Sequence, residues 1–175
     1  MDKPMSNFGF RMMSFAFKIR NFFKPRHKVL AEVGIKTGDN VLDYGCGPGS
    51  YVKAASELVG SEGKVYALDI HPLAIKKVQS IASKYGIGNI EIIESDGKTD
   101  LPAGSVDVVL LYDTFHGLTN PDKVLLELYR VLKAGGILSF SDHHLKDGEI
   151  IYGITVNSLF ELAKRGNKTY SFKKA

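Results

Sequence analysis

Residues 41–50 read Val-Leu-Asp-Tyr-Gly-Cys-Gly-Pro-Gly-Ser, an apolar run that ends in three glycines at alternate positions. Gly45, Gly47 and Gly49 would let backbone approach a ligand closely. The segment that follows has helical patterning, so the glycine turn should lie between a strand end and a helix start, where open α/β sheets bind ligands. A dinucleotide fingerprint, G-x-G-x-x-G, would need glycine at Ser50. Pro48 also lacks the N–H that a pyrophosphate could use. Asp43, two residues before the first glycine, is a poor neighbour for a phosphate and a good one for a cation. The chemistry points to a ligand with a positive centre and no phosphate. S-adenosylmethionine, with a sulfonium, an ammonium and a ribose, is such a molecule.

Elements able to position this loop follow along the chain. Short apolar runs at residues 41–45, 64–70, 90–95, 106–112 and 136–142 suit buried parallel strands. A helix should open at Pro72 and close at Gly86, with Ala74, Val78, Ile81, Ala82 and Tyr85 on one stripe. A second should open at Asn120-Pro121 and end at Gly135-Gly136, and a third should run from Gly49-Ser50 to about Gly60. Strand alternating with helix predicts an α/β fold, a doubly wound parallel sheet. The tail predicts a short helix over 147–156. An antiparallel pair, 159–164 and 169–173, then follows, joined by a type II′ turn centred on Gly166-Asn167. That makes seven strands.

The motif at 41–50 resembles motif I of class I, Rossmann-like methyltransferases. The similarity spans about residues 29–145 and is closest to the branch of ubiquinone/menaquinone-biosynthesis methyltransferases (methyltransferase type 11). Val65 to Ile70 resembles the second-strand motif, in which Asp69 takes both ribose hydroxyls and Ile70 packs on adenine. Ser95-Asp96-Gly97 resembles the third-strand motif, whose acid faces the adenine amino group. Residues 107–118 resemble the fourth-strand motif, and 128–138 the helix and fifth strand, with Ala134 where proline is usual. The resemblance implies strand order 3-2-1-4-5-7-6 with the last strand antiparallel. It also implies S-adenosyl-L-methionine as cofactor and a cofactor site at Asp43, Tyr44, Gly45, Cys46, Gly47, Gly49, Asp69, Ile70, Ser95, Asp96, Gly97, Leu111 and Tyr112. Asp69 could instead cap the following helix, Asp96 serve a turn, and Asp43 serve the glycine loop. Cys46 reads as a small turn filler.

The fourth and fifth strand ends should supply the acceptor side: Tyr112, Asp113, His116, Asp142, His143 and His144. His116 and His143 are the candidate general bases, with simple hydrogen bonding to loop backbone as the alternative. No metal site is expected, because neighbouring residues on an extended strand point to opposite faces and His143 and His144 should not share an ion.

With 44% hydrophobic and 24% charged residues, the chain has the composition of one ordinary globular domain. Cys46, its one cysteine, excludes an internal disulfide, and a cytoplasmic location is expected. Residues 1–28 hold seven Lys/Arg against Asp2 alone, while the remainder carries 16 basic and 18 acidic residues. A nucleic-acid footprint on the main fold is therefore not expected, nor is a secretory leader or an integral membrane segment. Residues 1–28 are read as an amphipathic lid helix and 29–175 as the S-adenosylmethionine-binding domain. On a helical wheel Phe8, Met12, Phe15, Ile19 and Phe22 form one stripe, and Asn7, Arg11, Ser14, Lys18 and Asn21 another. The apolar stripe should cover a surface: the domain's own pocket, a membrane interface or a partner. The expected function is methyl transfer to a small, partly apolar acceptor. The alternatives are a non-catalytic cofactor-binding module or partner subunit, and an NAD(P)-dependent oxidoreductase.

Overall fold

The computed structural model describes residues 4–23 and 26–175, the side chains of 18 and 20–23 excepted. Helices α1 (Asn7–Phe23) and α2 (Arg26–Leu30) precede a seven-stranded sheet. In chain order there follow β1 (Asn40–Tyr44), α3 (Val52–Val59), β2 (Lys64–Asp69), α4 (Pro72–Tyr85), β3 (Ile90–Glu94) and β4 (Val106–Tyr112). The chain closes with α5 (Pro121–Val131), β5 (Leu132–Ser141), α6 (Asp147–Thr155), β6 (Phe160–Arg165) and β7 (Tyr170–Lys174). The sheet order is β3-β2-β1-β4-β5-β7-β6, with β7 antiparallel to both neighbours. From β1 the chain winds outward through β2 and β3, then returns to place β4 on the other side. The crevice beyond the carboxyl ends of β1 and β4 is thus the topological switch point.

Strand alternation divides the core. Val41, Val65, Ala67, Val108 and Leu110 pack with α2, α3 and α4 on one face. Leu42, Tyr44, Val109, Leu111 and Leu138 pack with α5 and α6 on the other. Adjacent strand residues face opposite ways, so Asp43 and Tyr112 emerge on the first side while Tyr44 and Leu111 enter the second.

Several boundaries differ from the sequence reading. Helix α3 begins at Val52, because residues 45–51 form the loop. Helix α5 stops at Val131, and its C-cap Leu132 is already extended. The strand pairing then shifts register between Val106↔Leu132 and Val108↔Ile137, so the glycine pair lies in an irregular stretch of β5 rather than at a helix end. The tail hairpin turns about Asn167-Lys168, closed by Gly166 N–H donating to Thr169 O at 2.8 Å. Gly166 is not among the positive-φ glycines, which excludes a type II′ turn. The Glu32 carboxylate instead accepts from Lys168 N, Thr169 N and Thr169 Oγ1. A partner more than a hundred residues away shapes this turn.

The boundary drawn after residue 28 falls inside α2, which packs against α3 and buries Leu30 in the core. Among the described residues no helix is long and apolar enough to cross a membrane.

Candidate functional site

The glycine loop is tied to the neighbouring strand: Gly45 N and Cys46 N both donate to Leu68 O at 2.9 Å. Gly45 has φ 76°, and a Cβ there would stand 2.4 Å from Thr114 Oγ1. Glycine therefore lets the β1 turn close onto Thr114, two residues beyond the end of β4. Gly49, also at positive φ, has a different task. A Cβ on it would meet Ile81 Cδ1 at 2.8 Å, so it packs α3 against α4.

A cavity of about 300 Å³ opens beside this loop. Its floor is Asp43, Gly45, Cys46, Gly47, Asp69, Ile70 and Tyr112, and its acceptor-side wall is Asp113, Thr114, His116 and Gly117. Met5, Phe10, Met13 and Phe17 close it from above. Among the described residues three carboxylates line the cavity, and no lysine or arginine does.

Burial pushes Asp43 up to about 7, reinforced by the charge of Asp69. Its Oδ2 is buried without a hydrogen-bond partner among the described residues. Asp69 Oδ2 accepts from Gly47 N and its Oδ1 from His71 N, each at 2.8 Å. Burial still raises its pKa, outweighing those backbone donors. Two buried acids side by side, one with an orphaned oxygen, make a site that stabilises a cation and repels a phosphate. The residues present fit S-adenosylmethionine: Asp43 would face its positive centre, Asp69 would take its ribose hydroxyls, and Ile70 would form an apolar wall. The buried Cys46 thiol is raised well above its ordinary value by burial, and a thiol held protonated is a poor nucleophile.

Other positions read from the sequence lie elsewhere. Tyr44 and Leu111 are interior to the sheet's second face. Asp96 and Gly97 line a separate cavity with Lys98, Lys123, Glu127 and Arg130. Ser95 accepts from Gly97 N through its hydroxyl at 3.3 Å, and Tyr44 Oη donates to Gly97 O at 3.4 Å.

The profile of the methyltransferase domain family matches residues 35–172. The chain belongs to this family. It is a class I member of the branch that includes the ubiquinone/menaquinone-biosynthesis methyltransferases. It is 34% identical over 131 residues to an aklanonic acid methyltransferase from Streptomyces sp. strain C5, covering 73% of this chain and 59% of that protein. It is 32% identical over 132 residues to a ubiquinone/menaquinone biosynthesis C-methyltransferase from Francisella tularensis, covering 72% and 52% respectively. The chain thus spans between half and three-fifths of the length of these curated relatives. A solved S-adenosylmethionine-dependent methyltransferase from Aquifex aeolicus superposes with a TM-score of 0.75 at 29% identity, covering 90% of this chain and 96% of that one.

Against this methyltransferase frame, the two candidate bases separate. His116 lines the cavity, and its Nδ1 lies 2.8 Å from Oδ2 of the buried Asp142. Asp142 also accepts from the backbone N–H groups of His116 and His144. His143 is 59% exposed, bonds Asp113 Oδ1 at 2.7 Å and is not part of the lining. Strand alternation does not separate His143 from His144, because β5 ends at Ser141 and residues 143–144 form a turn. The rings of His143 and His144 lie 4.0 Å apart, as do those of His116 and His144. Ligand atoms of Asp113, Asp142 and His143 come within 4.8 Å of one another. The His143–Asp113 hydrogen bond already joins two of these groups.

Sequence reading missed Phe10, Met13, Phe17, His71 and Thr114. Of the surfaces the apolar stripe could cover, the domain's own pocket is not the one it meets: Phe8, Met12, Phe15 and Ile19 are solvent-exposed. Phe22, Lys18 and Asn21 lie outside the described side chains. Phe10, Met13 and Phe17, spaced i, i+3, i+7, sit half a turn away and face the cavity. That spacing was legible, but so was its rival.

Proposed function

We propose that this chain is an S-adenosylmethionine-dependent methyltransferase acting on a small, partly apolar acceptor. The observation that carries this reading is the cavity lining: Asp43, Asp69 and Asp113, with no lysine or arginine among the described residues, under an apolar cover. When bound, S-adenosylmethionine supplies a methyl group made electrophilic by its sulfonium. The chain's own part is to bind, to align and to take a proton. Asp43 and Asp69 hold the cationic and ribose ends at the β1 and β2 strand ends. Met5, Phe10, Met13 and Phe17 give the acceptor a water-poor wall, which favours an apolar or aromatic molecule. With Nδ1–H donating to Asp142, His116 leaves the Nε2 lone pair available to accept the acceptor's proton. Alignment within such a cavity contributes independently of any base. A lining this acidic disfavours a dinucleotide.

Titration calorimetry with S-adenosylmethionine, S-adenosylhomocysteine and NAD tests the reading. The first two should bind and NAD should not. Asp69→Ala should weaken cofactor binding by about 1.5–3 kcal/mol, the range for hydrogen bonds to a charged group. Transfer of a labelled methyl group into a cell extract should separate an enzyme from a module that only binds. Binding of NAD with no response to S-adenosylmethionine would refute the assignment.

A further inference from the structure

Helix α1 carries two apolar stripes on opposite faces. Phe10, Met13 and Phe17 line the cavity, and Phe10 is buried. On the other face Phe8, Met12, Phe15 and Ile19 are 76%, 57%, 62% and 48% exposed. Their spacing of i, i+4, i+7, i+11 places all four along one line. Single exposed apolar side chains are ordinary, but a continuous row of four such large ones marks an interaction surface. The charges beside it have one sign. The helix sequence contains Arg11, Lys18 and Arg20 and no acid, and residues 1–28 as a whole hold seven Lys/Arg against one Asp.

An apolar row on a helix whose charged residues are all basic is complementary to an anionic lipid surface, which offers acyl chains below a layer of negative charge. We propose that the outer face of α1 docks on anionic membrane, with Phe8, Met12, Phe15 and Ile19 below the head groups. A neutral or mixed-charge protein surface would satisfy the apolar row but not the one-signed charge. The inner face of the same helix roofs the cavity, so docking sets the cavity about one helix diameter, 10–12 Å, from the lipid. An acceptor dissolved in the bilayer would then enter without crossing bulk water. That last consequence rests on the methyl-transfer reading, whereas the docking itself does not.

Sedimentation of the full chain with vesicles tests the proposal. The protein should co-sediment with phosphatidylglycerol-containing vesicles and much less with phosphatidylcholine alone, and added salt should weaken the binding. The double substitution Phe8→Ser, Phe15→Ser should lower partitioning more than about tenfold. Unchanged cofactor affinity in that variant would show that the fold is intact. Absence of vesicle binding by the unsubstituted chain, or equal binding by the double variant, would overturn the proposal. So would a dimer in light scattering that the double variant dissolves, because a second copy would then cover the face. Vesicle binding requires no cofactor, so failure of the methyltransferase reading would leave this result standing.

Discussion

The ring of Phe10 lies stacked on the imidazole of His71, with centroids 4.4 Å apart and planes inclined by 29°. His71 is buried, and its Nδ1 accepts from Leu73 N at the start of α4. In the neutral ring the proton must then sit on Nε2, and Nε2 has no partner among the described residues. The N-terminal helix is therefore joined to the domain at the cofactor side of the cavity, over a buried polar atom.

That contact yields a first prediction. Phe10→Ala, with Met13→Ala and Phe17→Ala, should leave the sheet folded, since its strands begin at Asn40. It should nevertheless raise the cofactor dissociation rate and the acceptor KM together. Stopped-flow release and steady-state kinetics would measure both. Normal values in the triple variant would show that the helix is no lid.

A second prediction concerns Asp43, whose carboxyl is pushed up to about 7 by burial and by Asp69. The shift is upward from the unfolded value, so its contribution to stability is full below about pH 4 and is lost as pH rises to about 7. A bound cation favours the carboxylate and reverses that loss. Cofactor binding at about pH 6 should then release close to one proton, and at about pH 9 almost none. Calorimetry in buffers of different ionisation enthalpy reads the count directly. Asp43→Asn should abolish the release.

Gly45→Ala forms a third test. The added Cβ meets Thr114 Oγ1, and φ is 76°. We expect a loss of about 2–4 kcal/mol in denaturant unfolding, from a clash plus backbone strain. Adding Thr114→Ala should recover the steric share and leave the strain. Full recovery, or none, would contradict the division.

The fourth prediction separates the histidines. His116→Ala should lower kcat by about 10²–10⁴-fold with cofactor affinity unchanged, as expected for loss of a general base. His143→Ala should have a smaller effect, because its side chain is not part of the cavity lining. At saturating cofactor, which removes the influence of Asp43, activity should rise with pH through one ionisation. Retention of full kcat in His116→Ala would leave positioning as the sole device.

Much of the scaffold was legible because it depends on local periodicity. The apolar runs placed all seven strands to within a few residues, and the residues flanking Pro72 and Pro121 marked two helix starts. The glycine loop and Asp43 were legible as a candidate site for a cationic ligand through their chemistry and spacing alone. The strand order came through resemblance to a family.

What periodicity leaves open is which of two equivalent solutions is packed. In α1 the stripes through Phe8 and through Phe10 are both helical, and only docking on His71 and the glycine loop selects the inner one. On β1 and β4, alternation makes neighbours face opposite ways, but the sides are assigned by α2, α3 and α4 against α5 and α6. Tyr44 and Leu111 therefore went to the core while Asp43 and Tyr112 reached the cavity. At the end of β5, Asp142 turns the chain by accepting from His116 and His144, so His143 and His144 come together where an extended strand would part them. Composition and local pattern determined the elements and the acidic, glycine-rich character of the candidate site. Long-range hydrogen bonds and packing, which depend on residues distant in sequence, decided which side chains share the cavity.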